Sequence, residues 1–334
     1  MLFRPRTVCG CKFETGFVLS AILIVASGFY TVVCGAVCGE LQAQTAAVPL
    51  LEPPHAASVF QNPIPAAQLM FLSDYKDKSV RAILKDKRFG NLMKLAIPNS
   101  ELRYGRGRTI SATLGTLLDS DPMPIQIRNG RYVMVASGGD PMLNGIGFMW
   151  FDIENGIAIG GVYSHSTQGE SGPEMTVFSS QLRDSSLSIG QFPTAFQNDL
   201  SQWILATGLY FVSTRYYIPE NGRKYALLHD EDYCAYRQDV PPPPRAQCEE
   251  LNAEAAEADM NAAYFLAKTQ NAADAKPQVL DQDQLAWIVL REQSCGLGPA
   301  GLQCRLRLTR QRTQVLIASQ RDYSGSPIVV EGNH

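Results

Sequence analysis

The groups in this chain that could do chemistry are few, and their spacing limits what they can do. Gly169-Glu-Ser171-Gly-Pro173 opens like the sharp elbow that exposes a nucleophilic serine. Proline, however, stands where the final glycine is needed, and a polar loop precedes it instead of a strand. His55, His165, His229 and His334 are scattered and form neither H-E-x-x-H nor H-x-H, the spacings that aim two imidazoles at one metal. His165 lies in Ser164–Pro173 near Glu170 and Glu174, a pairing that general acid–base chemistry could use and that a solvated hairpin loop explains more simply. Gly138-Gly139 and Gly145-x-Gly147 match neither phosphate-cradling spacing. No catalytic residue, metal site or cofactor is expected.

Cysteine is the remaining reactive type. Of eight cysteines, Cys9, Cys11, Cys34 and Cys38 lie in or beside an N-terminal apolar segment, and Cys234, Cys248, Cys295 and Cys304 lie in the C-terminal third. No C-x-x-C occurs among the last four and no histidine is near Cys295 or Cys304, which argues against zinc. In an exported module four cysteines read as two disulfides with three connectivities. Cys234–Cys248 with Cys295–Cys304 is the favoured set, because each pair closes a short loop.

Export follows from the first forty residues. Arg4, Arg6 and Lys12 precede Phe17–Gly39, a run without a charge. The run is long enough to span a bilayer, and small residues at Thr45 and Ala47 offer a cleavage site, so it reads as a signal peptide or as an anchor. Val33 before Cys34 and Val37 before Cys38 argue against lipidation. The bulk of the chain is therefore expected in the periplasm or outside the cell. Net charge is −3, and without residues 1–40 it is −4, from 26 basic and 30 acidic residues. This supplies no basic face for nucleic acid and is compatible with a basic protein partner.

The elements fall into two groups separated by proline-rich spacers. Residues 48–68 are Ala/Pro-rich and read as a tether, and Pro241–Pro244 as a short polyproline spacer. Between them, Ser79–Leu95 has the pattern of an amphipathic helix, interrupted at Gly90. Ile125–Ile127 and Arg131–Ala136 flank Asn129-Gly130, and Ile146–Phe151 and Ile157–Tyr163 flank Glu154-Asn155-Gly156. Tyr210–Ile218 and Lys224–Leu228 flank Asn221-Gly222, giving a third hairpin. Met175–Phe178 adds a strand, and Pro193–Thr207 a helix with Phe196, Leu200, Trp203 and Ile204 on one face. The fold class expected is α+β: an antiparallel-sheet domain with flanking helices, followed by a small disulfide-stapled all-α module. Its divisions are 1–47 (signal or anchor), 48–68 (linker), 69–232 (α+β), 233–318 (helical) and 319–334 (tail).

In the helical part, Leu251, Ala255, Ala258, Ala262 and Phe265 share one face, as do Trp287, Arg291 and Cys295, and then Cys304, Leu308, Arg312 and Leu316. The order Asn261, Tyr264, Gln284, Trp287, Arg291, Cys295, Cys304, Thr309, Arg312 resembles the LprI-type lysozyme inhibitor family of bacterial envelope proteins. That resemblance covers about a fifth of the chain. It implies a secreted, disulfide-stapled helical domain associated with lysozyme inhibition. Asn261, Tyr264, Trp287, Arg291 and Arg312 are expected as framework residues. The middle region, in its order of helix, R-Y-V-M-V-A strand, G-F-M-W strand and hairpin return, is similar to the Ivy family of periplasmic inhibitors of vertebrate-type lysozyme. There the loop between those strands carries a histidine and a disulfide and plugs the enzyme. The corresponding Ser137–Gly145 has neither.

These readings converge on a non-catalytic binding protein of the cell envelope that would occlude a lysozyme cleft. A scaffolding protein with the same folds and another partner is the alternative, and self-association is left open. The partner contacts expected are Ser137, Gly138, Gly139, Asp140, Pro141 and Asn144 in the loop, then Glu250, Glu254 and Glu257 on the acidic helix. Packed antiparallel, that helix and the one carrying Arg305, Arg307, Arg310 and Arg312 would neutralise one another through exposed pairs worth little each.

Overall fold

Val133 and Val135 of one strand point to one side of a sheet while Met134 and Ala136 point to the other, and all four are buried. A strand apolar on both faces needs cover on both. That requirement organises the middle of the chain. The computed structural model describes residues 59–102, 108–139, 145–165, 173–183, 187–208, 213–229, 244–270, 277–296 and 298–322. The chain divides into compact units at Leu50, and everything described belongs to the second.

In chain order the elements are α1 (Ala66–Leu69), α2 (Val80–Leu84), α3 (Lys87–Ala96), β1 (Glu101–Leu102), β2 (Arg108–Thr109), α4 (Ile110–Ser120), β3 (Gln126–Arg128), β4 (Tyr132–Ala136), β5 (Ile146–Asp152), β6 (Ile157–His165), β7 (Pro173–Phe178), β8 (Leu187–Ser188), α5 (Thr194–Ala206), β9 (Thr214–Ile218) and β10 (Tyr225–Leu228). Three longer helices follow: α6 (Arg245–Gln270), α7 (Pro277–Cys295) and α8 (Leu302–Asp322). Strands β3 to β10 form one sheet in the order β3-β4-β5-β6-β7-β9-β10-β8.

The class is α+β, as the sequence indicates, but the sheet is mixed instead of purely antiparallel. β7 pairs with β9 in parallel, and β10 with β8 in parallel. The reason is the helix between β7 and β9: returning the chain to the same end of the sheet needs a long crossover, and α5 supplies it. The three hairpins stand. Asn129 and Gly130 both take positive φ (55° and 67°), the conformation that Asn-Gly accepts at low cost.

Helices α2, α3 and α4 cover one face, where Phe89, Leu114 and Leu118 join Val133, Met149 and Phe151. Helix α5 covers the other with Phe196, Leu200, Trp203 and Ile204 against Phe148, Trp150 and Tyr163. At the sheet centre Gly160 and Gly161 leave room for rings: an added Cβ would lie 2.1 Å from Phe178 and 2.4 Å from Phe148. The helix expected over Ser79–Leu95 is two helices, and its break falls at Lys85–Asp86, not at Gly90. Asp86 caps α3, accepting from the Arg88 amide at 2.8 Å, so a cap overrides the glycine, which is tolerated mid-helix. Asp86 also pairs with Arg88 and accepts from Tyr75, and these bonds hold its carboxyl below the usual carboxylate range.

The helical module packs on the sheet. Ala262 and Leu266 of α6 join Tyr216 and Ala226 of β9 and β10 in one cluster. Alanine at Ala255, Ala256, Ala262, Ala263 and Ala267, all buried, lets α6 lie close to both neighbours.

Candidate partner-binding surface

The ends of α7 and α8 are joined by a disulfide, Cys295–Cys304, with Cα atoms 5.4 Å apart. Cys248 on α6 is also disulfide-bonded. Cys234, the partner expected for it, lies outside the described residues, as does Pro241–Pro243.

Within this staple a polar network threads all three helices. Arg291 (α7), with only 10% of its side chain exposed, donates to Glu257 of α6 and Glu292, and to Thr309 Oγ1 of α8 at 2.9 Å. Its guanidinium carbon sits 4.9 Å from the Trp287 ring centre, and that of Arg312 sits 5.8 Å from the same ring, so the indole has a cation near it from each of two helices. Arg312 in turn donates to Gln284 Oε1 at 3.0 Å and pairs with Asp283. Tyr264 of α6 donates to Asp281 of α7, which also receives Lys268 Nζ at 2.9 Å. Burial, then the bond to Asp281, pushes the Tyr264 phenol up to about 12, and the Tyr264 and Lys268 bonds lower the Asp281 carboxyl. The acidic α6 and basic α8 therefore do not simply neutralise each other. The ion pairs of Glu257, Lys268 and Arg312 all run to α7, because α7 carries acidic and basic groups within reach of both neighbours.

Along α6, Glu250, Glu254, Glu257, Asn261, Tyr264 and Lys268 follow steps of four and three and so share one face. This stripe runs beside α7, and the two helices enclose an open groove of about 420 Å³ lined by Glu257, Asn261, Tyr264, Asp281, Gln284 and Arg291. Glu250 and Glu254 are exposed and have no ion pair among the described residues. The structure thus brings residues expected as partner contacts and residues expected as framework onto one surface. Sequence reasoning missed Asp281 and Asp283. Both lie beyond the first turn of α7, which carries no acidic residue, so the helix dipole gave no signal for them.

The loop between β4 and β5 is placed differently. Asp140, Pro141 and Asn144 lie outside the described residues. Ser137, expected at the partner-facing surface, is fully buried: it accepts from the Gly147 amide at 2.9 Å, and its carbonyl receives the Trp203 indole N–H at 3.0 Å. Extended β4 turns this side chain inward, so it anchors the loop base to α5. Gly138 is bonded to the Asp121 carbonyl at 2.8 Å, and Gly139, in the left-handed region with φ 92°, is exposed. His165 ends β6 opposite Pro173, and Glu170 lies outside the described residues.

A second cavity, of about 380 Å³, opens at the seam between sheet and module. There the His229 backbone amide donates to the Asp259 carboxylate at 3.0 and 3.1 Å, and the ring Nδ1 lies 2.7 Å from it. Burial and the charge of Arg215 lower the imidazole pKa, and Asp259 opposes them. Among the described residues no group of three or more His, Cys, Asp or Glu side chains is arranged to hold a metal, and no helix is long and apolar enough to cross a membrane. The apolar run 17–39 lies outside those residues.

Residues 242–316, spanning α6, α7 and most of α8, match the model of the family described as lysozyme inhibitor LprI. The helical module is thus an LprI-type domain. The match covers less than a quarter of the chain. Neither a curated protein nor a solved structure matches the chain, and the likeness of the sheet domain to the Ivy family finds no counterpart there.

Proposed function

We propose that this chain is an exported, non-catalytic protein of the cell envelope that inhibits lysozyme by covering the enzyme's cleft. The match of residues 242–316 to an inhibitor family carries the reading. The exposed carboxylates Glu250 and Glu254 beside the α6–α7 groove support it, because lysozymes are typically basic. Export rests on Arg4, Arg6 and Lys12 before the uncharged run 17–39. The contact surface in this reading is the helical module, with Ser137 buried at the base of the β4–β5 loop and not free to meet a partner.

The test is binding and inhibition of a panel of lysozymes by the purified, oxidised protein at low and at physiological salt. Inhibition at micromolar or better that survives physiological salt is the expected result. Binding confined to low salt would mean charge attraction without a fitted contact, and no binding to any lysozyme would overturn the reading.

A further inference from the structure

A total charge of −3 gives no sign of a basic face, yet the charges of this chain are segregated. Residues 66–121, which build α1 to α4 and the β1–β2 hairpin, hold 10 of the 29 Lys and Arg but only 6 of the 32 Asp and Glu, a net of +4. Residues 122–244 carry −5 and residues 245–322 carry −1. The excess lies on the outer side of the helices that cover the sheet. On α3, Lys87, Arg88, Asn91, Lys94 and Leu95 are exposed and share one face, while Phe89, Leu92, Met93 and Ala96 point into the core. Lys76, Lys78, Arg81 and Lys85, also exposed, extend the cations back through α2 and the segment before it. Tyr75 ties the two stretches together. Its hydroxyl donates to Asp86 at 2.8 Å, Lys78 Nζ lies 5.1 Å from its ring centre, and the Arg88 guanidinium lies 4.5 Å from the neighbouring Phe71 ring.

The fold neutralises little of this charge. Arg81 pairs with Asp119 and Arg88 with Asp86. Lys76, Lys78, Lys85, Lys87 and Lys94 have no ion pair among the described residues. The other acids of residues 66–121 are Asp74, Asp77, Glu101 and Asp121, all exposed. The other cations outnumber them two to one, because Arg103, Arg106 and Arg108 of the β1–β2 hairpin join the five lysines.

The kind of cation and its neighbours say what this surface fits. Lysine is a strongly hydrated point charge, suited to a diffuse anionic surface, whereas a fitted oxyanion favours the arginine fork. Leu95 and Met70 are 51% and 65% exposed on the same layer, Met70 beside the Phe71 that packs under Arg88. A lipid interface takes in such apolar groups, and a soluble polyanion does not. Among the described residues no aromatic ring of the layer is exposed to stack a base. A second copy meeting the layer across a two-fold axis would set like charge against like.

We propose that the outer side of α2 and α3 docks on an anionic phospholipid bilayer, with the five lysines over the headgroup phosphates and Leu95 and Met70 entering the interface. The proposal is independent of the lysozyme reading, since it concerns where the chain sits and not what it inhibits.

The experiment is lysine acetylation of the full oxidised chain, read residue by residue by mass spectrometry. The chain is labelled alone, with phosphatidylcholine vesicles, and with vesicles that also contain phosphatidylglycerol. Lys76, Lys78, Lys85, Lys87 and Lys94 should react at least about threefold more slowly on phosphatidylglycerol only, and high salt should remove the protection, while Lys268 on the module keeps its rate. Each lysine near an anionic surface is worth about fivefold, so Lys85→Gln/Lys87→Gln/Lys94→Gln should weaken docking about a hundredfold and restore the reactivity of Lys76 and Lys78. All three side chains are exposed, so this variant should keep the wild-type melting temperature. Unchanged reactivity on phosphatidylglycerol, or a triple variant that stays protected, would overturn the proposal. Equal protection on both lipids would do the same, since the apolar run 17–39 would then be crowding the chain onto any bilayer. Protection matched by soluble polyphosphate would assign the layer to a polyanion, and protection on concentrating the chain alone would assign it to a second copy; either refutes the proposal.

Discussion

Removing the Arg291 guanidinium should unlock the helical module, since this one side chain binds groups on all three of its helices. Arg291→Met keeps the length and the apolar stem but leaves Glu257 and Glu292 without their cation and Thr309 Oγ1 without its donor. Breaking a buried ion pair from one side costs about 3–5 kcal/mol. Here the Glu257 and Glu292 side chains are 40% and 26% exposed, so water can solvate part of the orphaned charge. Against that discount stand the lost contact with Trp287 and a stranded Thr309, which is 1% exposed. The net expectation is a loss of about 2–4 kcal/mol. Glu257→Gln should cost about 1 kcal/mol, because Arg291 keeps Glu292 and Thr309. Arg291→Lys should fall between them, since an ammonium cannot present the guanidinium fork to several acceptors at once. Urea unfolding followed at 222 nm and by tryptophan fluorescence reads these differences. Trp287 reports on the module, Trp150 and Trp203 on the sheet, and Trp287→Phe separates the signals. With a slope of about 2 kcal/mol/M, a loss of 3 kcal/mol moves the midpoint by about 1.5 M. The reasoning fails if Arg291→Met lies within about 0.5 kcal/mol of wild type, or if Glu257→Gln costs as much.

The remaining predictions concern the staple and pH. Cys295→Ser/Cys304→Ser opens a loop of separation 9, which chain entropy values at about 2.5–3 kcal/mol, and the module should melt earlier while the sheet transition stays in place. Tyr264 has a raised pKa in the folded chain, so its contribution is complete below the ordinary tyrosine value of 10 and is lost as pH rises through about 12. Melting temperature should therefore fall more steeply between pH 10 and 12 in wild type than in Tyr264→Phe; identical alkaline limbs would refute the part-buried Tyr264–Asp281 bond.

Much of the fold was legible because local chemistry decided it. Asn129-Gly130 takes positive φ at both positions and could hardly be anything but a turn. Phe196, Leu200, Trp203 and Ile204 recur at helical spacing and are buried as a set. The three module helices, with Cys295 and Cys304 at facing ends, also followed from periodicity, and their pairing needed only a short loop. What the sequence could not settle were quantities that depend on which element lies beside which. The strand–helix–strand order Met175–Phe178, Thr194–Ala206, Thr214–Ile218 already contained the crossover that makes β7 and β9 parallel, yet strand direction is a property of the pair and is written in neither strand. Ser137 looked like loop surface, and only the approach of α5, with Trp203 donating to its carbonyl, makes it interior. Tyr264 and Asp281 are 17 residues apart, and only the antiparallel packing of α6 on α7 joins them. The sequence by itself determined the module helices, the helix with Trp203 and the turns, since each rests on residues within a few positions of one another, and the order of residues from Asn261 to Arg312 carried the module's family resemblance. The tertiary structure alone decided that Glu257, Arg291 and Thr309 form one network and that the aliphatic side of α7 faces water, because burial and charge pairing are set by neighbours distant in the chain.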